Sequence, residues 1–340
     1  MKQFPKLLVF GLLLSAAVNS VAQSTPAQAP AVQTNTPPTV EYWRAESRLR
    51  VHDPSTIVRD GNEFWMFCTG VGVKSFHSTN LLDWQPGPPV MPDMPDWVRE
   101  VVPDQRGHYW APDVIRAGNR WLLYYSISSF GKNTSAIAHA TNPTLDPADP
   151  AFKWSDDGII IRSYPTNNFN AIDPAVAFDA EGRLWLSFGS YWSGIKLIEL
   201  DPKTGKRIAP DSPMHSLAWN DHIEAPFIHQ RGTNYHLFVN WGQCCKGTNS
   251  TYEIRVGRSD KITGPYRDRE GKNMIGGGGT LVLGSEGRWI GPGHAGIVND
   301  GAQEWFSFHF YDGNDRGRPT LAVRKLSWDE QGWPVVAPAR

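Results

Sequence analysis

The chain carries one hydrophobic pattern five times from residue 50 onward. Each copy has a short apolar segment, a turn containing Gly, Asn or Asp, and a second segment in which aromatic residues alternate with others. This order is typical of a β-hairpin. The copies are HDPSTIVRDGNEFWMFCTG from His52, YWAPDVIRAGNRWLLYYSIS from Tyr109, AIDPAVAFDAEGRLWLSFGS from Ala171, IEAPFIHQRGTNYHLFVNWG from Ile223 and, less regularly, GPGHAGIVNDGAQEWFSFHF from Gly291.

The repeat interval predicts the architecture. The aligned prolines Pro54, Pro112, Pro174 and Pro226 lie 58, 62 and 52 residues apart, an interval that fits a four-stranded propeller blade with its loops. We therefore predict an all-β, five-bladed β-propeller with blades at 50–108, 109–170, 171–221, 222–290 and 291–340. A β-sandwich is the alternative, although it would not explain a hairpin that returns at this interval. Helical periodicity of any length is absent, which argues against an α/β barrel.

The first 39 residues differ in composition from the rest. Residues 1–22 contain two lysines, an apolar stretch from Leu7 to Val18 and then small residues, which is typical of a cleaved signal peptide. A transmembrane anchor is the alternative, but the apolar run is shorter than the roughly 20 residues that span a bilayer. Residues 23–39 are rich in Pro, Ala, Gln and Thr and indicate an extended linker. The sequence predicts a secreted protein with one propeller domain over 40–340.

Composition excludes some partners and favours others. The net charge is −1 and no run of Lys or Arg forms a basic stripe, so we expect neither a nucleic-acid nor a membrane partner. The 15 Trp, 15 Phe and 10 Tyr residues suit β-structure and flat surfaces for sugar rings. Of the three cysteines, Cys68 is expected in the core. The adjacent Cys244 and Cys245 are either reduced thiols or a bridge that closes a small ring.

The repeats place charged side chains at one end of the predicted propeller. In this fold the first strand of each blade lines the central channel, so residues at the start of these strands converge. The aligned strand-start positions are Asp53, Ala111, Asp173, Ala225 and His294. Glu224 directly precedes Ala225. We therefore expect three carboxylates from separate blades to face one small space.

Three convergent carboxylates indicate acid–base chemistry. Mutual repulsion pushes their pKa values apart, which suits a glycosidic bond: one carboxylic acid protonates the leaving oxygen while a carboxylate activates water or attacks. The third can hold the acid protonated. Other Asp-Pro pairs, at Asp146, Asp149 and Asp201, are interpreted as loop initiators, and Asp113 as a structural group. A non-catalytic sugar-binding propeller is the alternative, but it would not need three carboxylates.

Eight segments, in order, resemble the arabinanase branch of glycoside hydrolase family 43. They are VHDPS, YWAPDV, NAIDPAV, IEAPF, WGQCCKG, STYEIRVGRS, ITGPY and GPGHAG, and the match runs from about residue 48 to 335. The family fold is a five-bladed propeller, which agrees with the repeats. The resemblance implies hydrolysis of α-1,5-linked L-arabinan, a pectin side chain, with internal cleavage as the first expectation. An exo-arabinanase or an arabinofuranosidase is the alternative.

The resemblance also implies a role for each charged residue. Asp53 would be the general base, Glu224 the general acid, and Asp173 the group that raises the pKa of the acid and positions it. Because the family inverts anomeric configuration, Asp53 and Glu224 are expected roughly 6.5–9.5 Å apart. His294, in GPGHAG, matches a histidine that helps to hold a metal ion, usually calcium, or sometimes another small ion, in the channel. No organic cofactor is expected.

Four further residues are candidates for substrate binding. Trp110, Phe130 and Trp192 lie at predicted loop edges near the carboxylates, where an aromatic face can stack on the apolar side of a sugar, although each could instead pack in the core. Arg324, in TLAVRKLSW, resembles a family arginine near the buried sugar, although an arginine on a strand can equally face solvent. The expected partner is arabinan or an arabino-oligosaccharide, and we expect a monomer.

Overall fold

The structure is a computed structural model that describes Met1 and residues 48–338. The predicted signal peptide and linker therefore lie outside the described residues, apart from Met1. Over 48–338 the strands form five separate antiparallel sheets, one for each copy of the sequence pattern. The protein is an all-β, five-bladed β-propeller, as the repeats predicted. No helix in this part of the chain is long and apolar enough to cross a membrane.

Each blade contains four strands in sequence order. Blade 1 has β1 (Val58–Asp60), β2 (Glu63–Cys68), β4 (Lys74–Ser78) and β5 (Gln85–Pro86); a short β3 (Gly70–Val71) pairs with blade 2. Blade 2 has β6 (His108–Ala117), β7 (Arg120–Ile127), β8 (Ser135–Asn142) and β9 (Ser155–Ser163). Blade 3 has β10 (Ala175–Phe178), β11 (Leu184–Phe188), β12 (Ile195–Leu200) and β13 (Met214–Ala218).

Blades 4 and 5 complete the ring, and the two longest strands, of 11 residues each, lie in blade 5. Blade 4 has β14 (Ile223–Arg231), β15 (Asn234–Trp241), β16 (Glu253–Ser259) and β17 (Thr280–Leu283). Blade 5 has β18 (Trp289–Asn299), β19 (Glu304–Asp312), β20 (Arg318–Trp328) and β21 (Pro334–Val336). The helical segments are α1 (Val98–Val101) and the 3-10 turns Gly247–Asn249, Met274–Gly276 and Gly313–Asp315.

Each predicted hairpin is the first strand pair of a blade. In three blades a two-residue turn joins the strands, and its first residue is a glycine at positive φ: Gly61 at 59°, Gly118 at 62° and Gly232 at 58°. Glycine carries no Cβ and adopts this conformation without steric cost. The predicted boundary at residue 291 is two residues late, because β18 begins at Trp289, which pairs with Asp312.

The five strand-start positions share one unusual backbone conformation. Their φ angles are 52° at Asp53, 43° at Ala111, 57° at Asp173, 53° at Ala225 and 57° at His294. Residues with a Cβ rarely adopt positive φ, so the same exception in all five blades is a structural repeat. In β6, β14 and β18 the strand pairing is interrupted around this position. Such an irregularity redirects a side chain; it occurs in these three blades, whereas the positive φ is common to all five.

Apolar clusters fill the spaces between neighbouring blades. The ring is closed by a cluster shared between the first and last blades, in which Phe64 and Met66 pack with Trp305 and Leu321. The buried free thiol of Cys68 belongs to the same cluster, as expected for a core residue. Burial of side chains of this size is the main favourable contribution to folding. The propeller is thus held by five similar apolar interfaces around the channel.

Candidate active site

Asp53 is buried at the start of blade 1 and is surrounded by hydrogen-bond donors. Its Oδ2 accepts a hydrogen bond from Thr69 Oγ1 at 2.6 Å and lies 2.7 Å from His52 Nδ1. Its Oδ1 lies 3.0 Å from His294 Nδ1. Burial raises the pKa of the Asp53 carboxyl, but the charges and hydrogen bonds of His52 and His294 outweigh burial and lower it well below its usual value. Asp53 is therefore ionised, the state in which a carboxylate accepts a proton from water.

Glu224 lies on β14, buried, and both of its carboxylate oxygens are hydrogen-bonded. Oε2 accepts from Ser190 Oγ at 2.7 Å, and Oε1 accepts a short hydrogen bond from the hydroxyl of Tyr252. Burial raises the pKa of Glu224, while Tyr252 and Ser190 lower it, and the net shift is upward. A raised pKa is what a carboxyl needs in order to donate a proton near neutral pH.

Asp173 is coupled to Glu224 through the backbone. The N–H of Asp173 donates to Ser126 Oγ at 3.0 Å, and Asp173 Oδ2 accepts the N–H of Ala225, the residue after Glu224, at 3.2 Å. Burial raises the pKa of Asp173 well above its usual value, and the charge of Glu224 adds to the rise. Because the two buried carboxyls interact, they titrate as a pair. The pair holds a proton to a higher pH than an exposed carboxyl would.

His294 contacts Asp53 and interacts electrostatically with all three carboxylates. Its backbone N–H donates to Asn240 Oδ1 at 3.3 Å, and its ring Nδ1 lies 3.0 Å from Asp53 Oδ1. Burial lowers the pKa of His294, but the charge of Asp53 and the contact with it raise that pKa to about 9. The imidazole is therefore protonated at neutral pH. In this form it stabilises ionised Asp53, and it must lose its proton before it can bind a metal.

Three imidazoles surround the Asp53 carboxylate, where the sequence predicted an ion. His52, Asp53 and His309 offer ligand atoms within 4.8 Å of one another, and His294 lies on the other side of the same carboxylate. Calcium takes six to eight oxygen ligands, whereas this set is one carboxylate and three imidazoles. These residues alone do not fit a calcium ion, so no step of the mechanism below uses one. The role of His294 as an ion ligand stays a prediction.

Three aromatic candidates for substrate binding differ in exposure. Trp110, on β6 directly before Ala111, is half-buried, and its indole N–H donates to His108 Nδ1 at 3.2 Å. Phe130 is 79% exposed in the loop between β7 and β8. Trp192 is 41% exposed between β11 and β12. The exposed rings of Phe130 and Trp192 are not core residues and are free to stack on a ligand.

Arg324 is buried on β20 and does not face solvent. Its guanidinium group lies over the rings of Phe308, at 5.1 Å, and Trp289, at 5.7 Å. Burial lowers the pKa of Arg324 to about 10. The two rings belong to the apolar interface between blades 4 and 5. Among the described residues 48–338, Arg324 makes no contact with Asp53, Asp173 or Glu224.

The sequence did not single out several groups that hold the carboxylates in place. His52 lies in the motif VHDPS directly before Asp53, so its position beside a predicted site residue was an available signal. Tyr252 lies in the motif STYEIRVGRS, which contains no predicted site residue. Thr69 and Ser190 carried no such signal, because their partners are distant in sequence. Asp113 is structural, as interpreted: it accepts the N–H groups of Thr56 and Val176, each at 2.9 Å, and so joins blades 1, 2 and 3.

The fold and the site together define a class of protein. A five-bladed propeller carries an ionised carboxylate and a proton-holding carboxyl pair at the start of its channel strands, an arrangement that suits cleavage of a glycosidic bond. The chain belongs to glycosyl hydrolases family 43, whose sequence profile matches residues 47–334. It is therefore a glycoside hydrolase.

Relatives within the family are similar over most of their length. The chain is 39% identical over 303 residues to an extracellular exo-α-(1→5)-L-arabinofuranosidase of Cellvibrio japonicus, covering 85% of this chain and 87% of the relative. It is 39% identical over 306 residues to extracellular endo-α-(1→5)-L-arabinanase 1 of Bacillus subtilis, covering 88% and 91%. The solved Cellvibrio cellulosa α-L-arabinanase complexed with arabinohexaose matches with a TM-score of 0.82 and 39% identity, covering 86% of this chain and 96% of that one.

Proposed function

We propose that the protein hydrolyses α-1,5-linked L-arabinan with inversion of configuration. Inversion is the mode that the family resemblance implies. The observation that carries the acid–base chemistry is the contrast between two surroundings: contacts with His52 and His294 lower the pKa of Asp53, whereas Asp173 and Glu224, linked through the N–H of Ala225, have raised pKa values. One site thus holds a base that is ionised and an acid that keeps its proton. The substrate class is supported by the relatives, which are named for α-1,5-linked arabinan.

Each carboxylate has one role in the proposed reaction. Glu224 donates its proton to the glycosidic oxygen as the bond to the anomeric carbon breaks. Asp53 takes a proton from a water molecule that attacks that carbon from the opposite face, which gives an inverted hemiacetal and a shortened chain. Asp173 raises the pKa of Glu224 and keeps it in position. Solvent exchange then returns the proton from Asp53 to Glu224.

We propose internal cleavage of the polymer. This is supported by the Bacillus subtilis relative and by a solved Bacillus licheniformis structure, both of which are named as endo-acting. Exo-action is the second candidate, because the Cellvibrio japonicus relative is named as exo-acting and is equally similar at 39% identity.

Product analysis on debranched, linear arabinan tests both proposals, with arabinoxylan and fructan as parallel substrates. A ladder of arabino-oligosaccharides with an early loss of viscosity is the expected result. A single short product from the first minutes would support the exo-acting candidate. Proton NMR during the first turnovers should show the β-anomer of the new reducing end. If none of the three polymers is cleaved while sugar binding persists, the protein is a non-catalytic sugar-binding propeller.

We propose separately, on the family resemblance alone, that His294 helps to hold calcium or another small ion. The test is thermal melting of the wild type and of His294→Ala after chelation and after calcium is added back. Binding through His294 predicts a calcium-dependent melting temperature in the wild type only. An equal response in both proteins would contradict this role.

We also propose that the protein is secreted and acts as a monomer. Two relatives are named as extracellular, and the structure contains a disulfide between Cys244 and Cys245, a bond that persists in oxidising compartments. Fractionation of the producing cells tests secretion, and light scattering of the purified protein tests its oligomeric state. Retention in the cytoplasm or a stable dimer would contradict the respective proposal.

A further inference from the structure

A line of contacts runs from Asp53 to the disulfide between Cys244 and Cys245. Asp53 Oδ2 lies 2.7 Å from His52 Nδ1, and His52 Nε2 lies 2.7 Å from the hydroxyl oxygen of Tyr311. That oxygen accepts the backbone N–H of Cys245 at 2.8 Å. The sulfur of Cys245 also lies 3.8 Å from His52 Nε2. The disulfide therefore reaches the proposed base through His52, both from the sulfur of Cys245 and by way of the Tyr311 hydroxyl.

The hydrogen bonds along this line have a defined direction. The ionised carboxylate can only accept, so His52 Nδ1 carries a hydrogen. At the other ring nitrogen, a neutral His52 accepts the hydroxyl hydrogen of Tyr311, and a protonated His52 donates to the hydroxyl oxygen. Both forms are compatible with the N–H of Cys245 as a donor to Tyr311. The line is thus satisfied in either protonation state of His52.

The ring of His52 is also held on one face. It stacks on His309 with ring centroids 4.3 Å apart, and His309 Nδ1 accepts the backbone N–H of Asp53 at 3.1 Å. His52 therefore has a partner at each nitrogen and on one face. Only the partner at Nε2, the hydroxyl of Tyr311, depends on the Cys244–Cys245 loop.

The disulfide restricts the backbone that supplies this contact. Cys245 has a φ of 65°, a conformation that residues with a Cβ rarely adopt. A disulfide between neighbouring residues closes a small ring that contains their shared peptide group, so it limits rotation on both sides of that group. Cys245 is exposed, which makes the bond accessible to a reductant. Opening the ring removes the restriction and lets the N–H of Cys245 move away from Tyr311.

We propose that the Cys244–Cys245 disulfide, acting through Tyr311 and His52, positions Asp53 for catalysis, so that hydrolysis is faster with the disulfide closed than open. The two linking residues, Tyr311 and His52, are positioning residues, since neither is assigned to the reacting atoms. The inference rests on the proposed function, because it takes Asp53 as the base. In the opening step the S–S bond receives two electrons and two protons and becomes two thiols.

The test is steady-state kinetics on a linear arabino-oligosaccharide before and after reduction with a water-soluble phosphine. The phosphine supplies the two electrons and becomes its oxide with oxygen from water, and a thiol assay verifies the opening. We expect kcat to fall about tenfold, the size of effect of one lost hydrogen bond, with KM within twofold of its starting value. Reoxidation should restore kcat. Loss of fold would instead lower the melting temperature and would not reverse in this way.

Variants assign the effect to this disulfide. Cys68→Ala removes the third cysteine and should respond to the phosphine as the wild type does. The double variant Cys244→Ser/Cys245→Ser should have the lower kcat from the start and no response. Tyr311→Phe keeps the ring but loses the hydroxyl, so it should also have a lower kcat and little further response, since the two changes remove the same interaction.

The outcomes separate this inference from the proposed function. If the oxidised wild type hydrolyses arabinan and verified reduction leaves kcat unchanged, the inference is overturned and the proposed function stands. If KM rises while kcat is constant, the disulfide contacts substrate and does not position Asp53, which also overturns the inference. If the oxidised wild type cleaves no arabinan, both fail.

Discussion

Asp173 Oδ2 accepts the backbone N–H of Ala225 at 3.2 Å, and Ala225 directly follows Glu224 in the chain. The carboxylate from blade 3 is therefore tied to the strand that carries the carboxylate of blade 4. Any movement of Asp173 changes both the electrostatic surroundings of Glu224 and the backbone that supports it. Through this contact Asp173 can affect proton donation by Glu224, although Asp173 itself neither gives nor takes a proton in the proposed reaction.

Replacing Asp173 by Asn should lower kcat on the order of 10²–10⁴-fold and move the alkaline limb of the kcat/KM profile to lower pH. The sign follows from charge: the amide no longer repels ionised Glu224, so the raised pKa of Glu224 falls and its proton is lost earlier. A pH–rate profile measures both effects. Asp211→Asn, at an exposed position, is the matched control. An alkaline limb at the wild-type pH would contradict the coupling of the two carboxyls.

Replacing Tyr252 by Phe should move the alkaline limb of the kcat/KM profile to higher pH. The hydroxyl of Tyr252 donates to Glu224 and lowers its pKa, so its loss raises that pKa and extends activity to higher pH. We also expect kcat to fall about tenfold at the optimum through loss of one positioning hydrogen bond. Tyr266→Phe is a control, because this buried hydroxyl donates to the carbonyl of Ile262 at 2.9 Å. A shift to lower pH would show that Tyr252 does not act on Glu224.

The strand-start residues were predictable from sequence, and most of their partners were not. Asp53 and Asp173 occupy the same position of a local repeat, so their convergence followed from the fold. Tyr252 and Glu224 are 28 residues apart, and His52 and Tyr311 are 259 apart. Such contacts depend on how the ring of blades closes, which a local pattern does not contain. The same limit applies to Arg324, whose burial between blades 4 and 5 depends on interblade packing.

Replacing Asp113 by Asn should lower stability with little effect on kcat. Asp113 accepts two backbone N–H groups from neighbouring blades, and Asn would turn a donor toward one of them. One unsatisfied buried group costs about 1–3 kcal/mol, which corresponds to a few degrees of melting temperature in a protein of this size. Calorimetry and kinetics on the same sample measure the two effects. An unchanged melting temperature with a large loss of kcat would mean that Asp113 takes part in catalysis.

Replacing Phe130 by Ala tests the predicted sugar platform. Because Phe130 is 79% exposed, its removal should not change the melting temperature. Loss of a stacking surface should raise KM for long arabino-oligosaccharides by about three- to tenfold and leave kcat within twofold, since the contact is equally strong before and in the transition state. Val335→Ala, at another exposed apolar position, is the control. An unchanged KM at every chain length would remove Phe130 from the substrate-binding residues.

The most direct test of the proposed active site is the initial rate of hydrolysis of linear arabinan by the wild type, Asp53→Asn and Glu224→Gln, with Glu330→Gln as an exposed carboxylate control. We predict turnover by the wild type and the control. Each of the other two variants should lose at least 10²-fold in kcat while remaining folded by circular dichroism. Glu224→Gln should recover most on an arabinofuranoside whose leaving group needs no protonation. Wild-type turnover in a folded Asp53→Asn or Glu224→Gln protein would contradict the assignment of the active site.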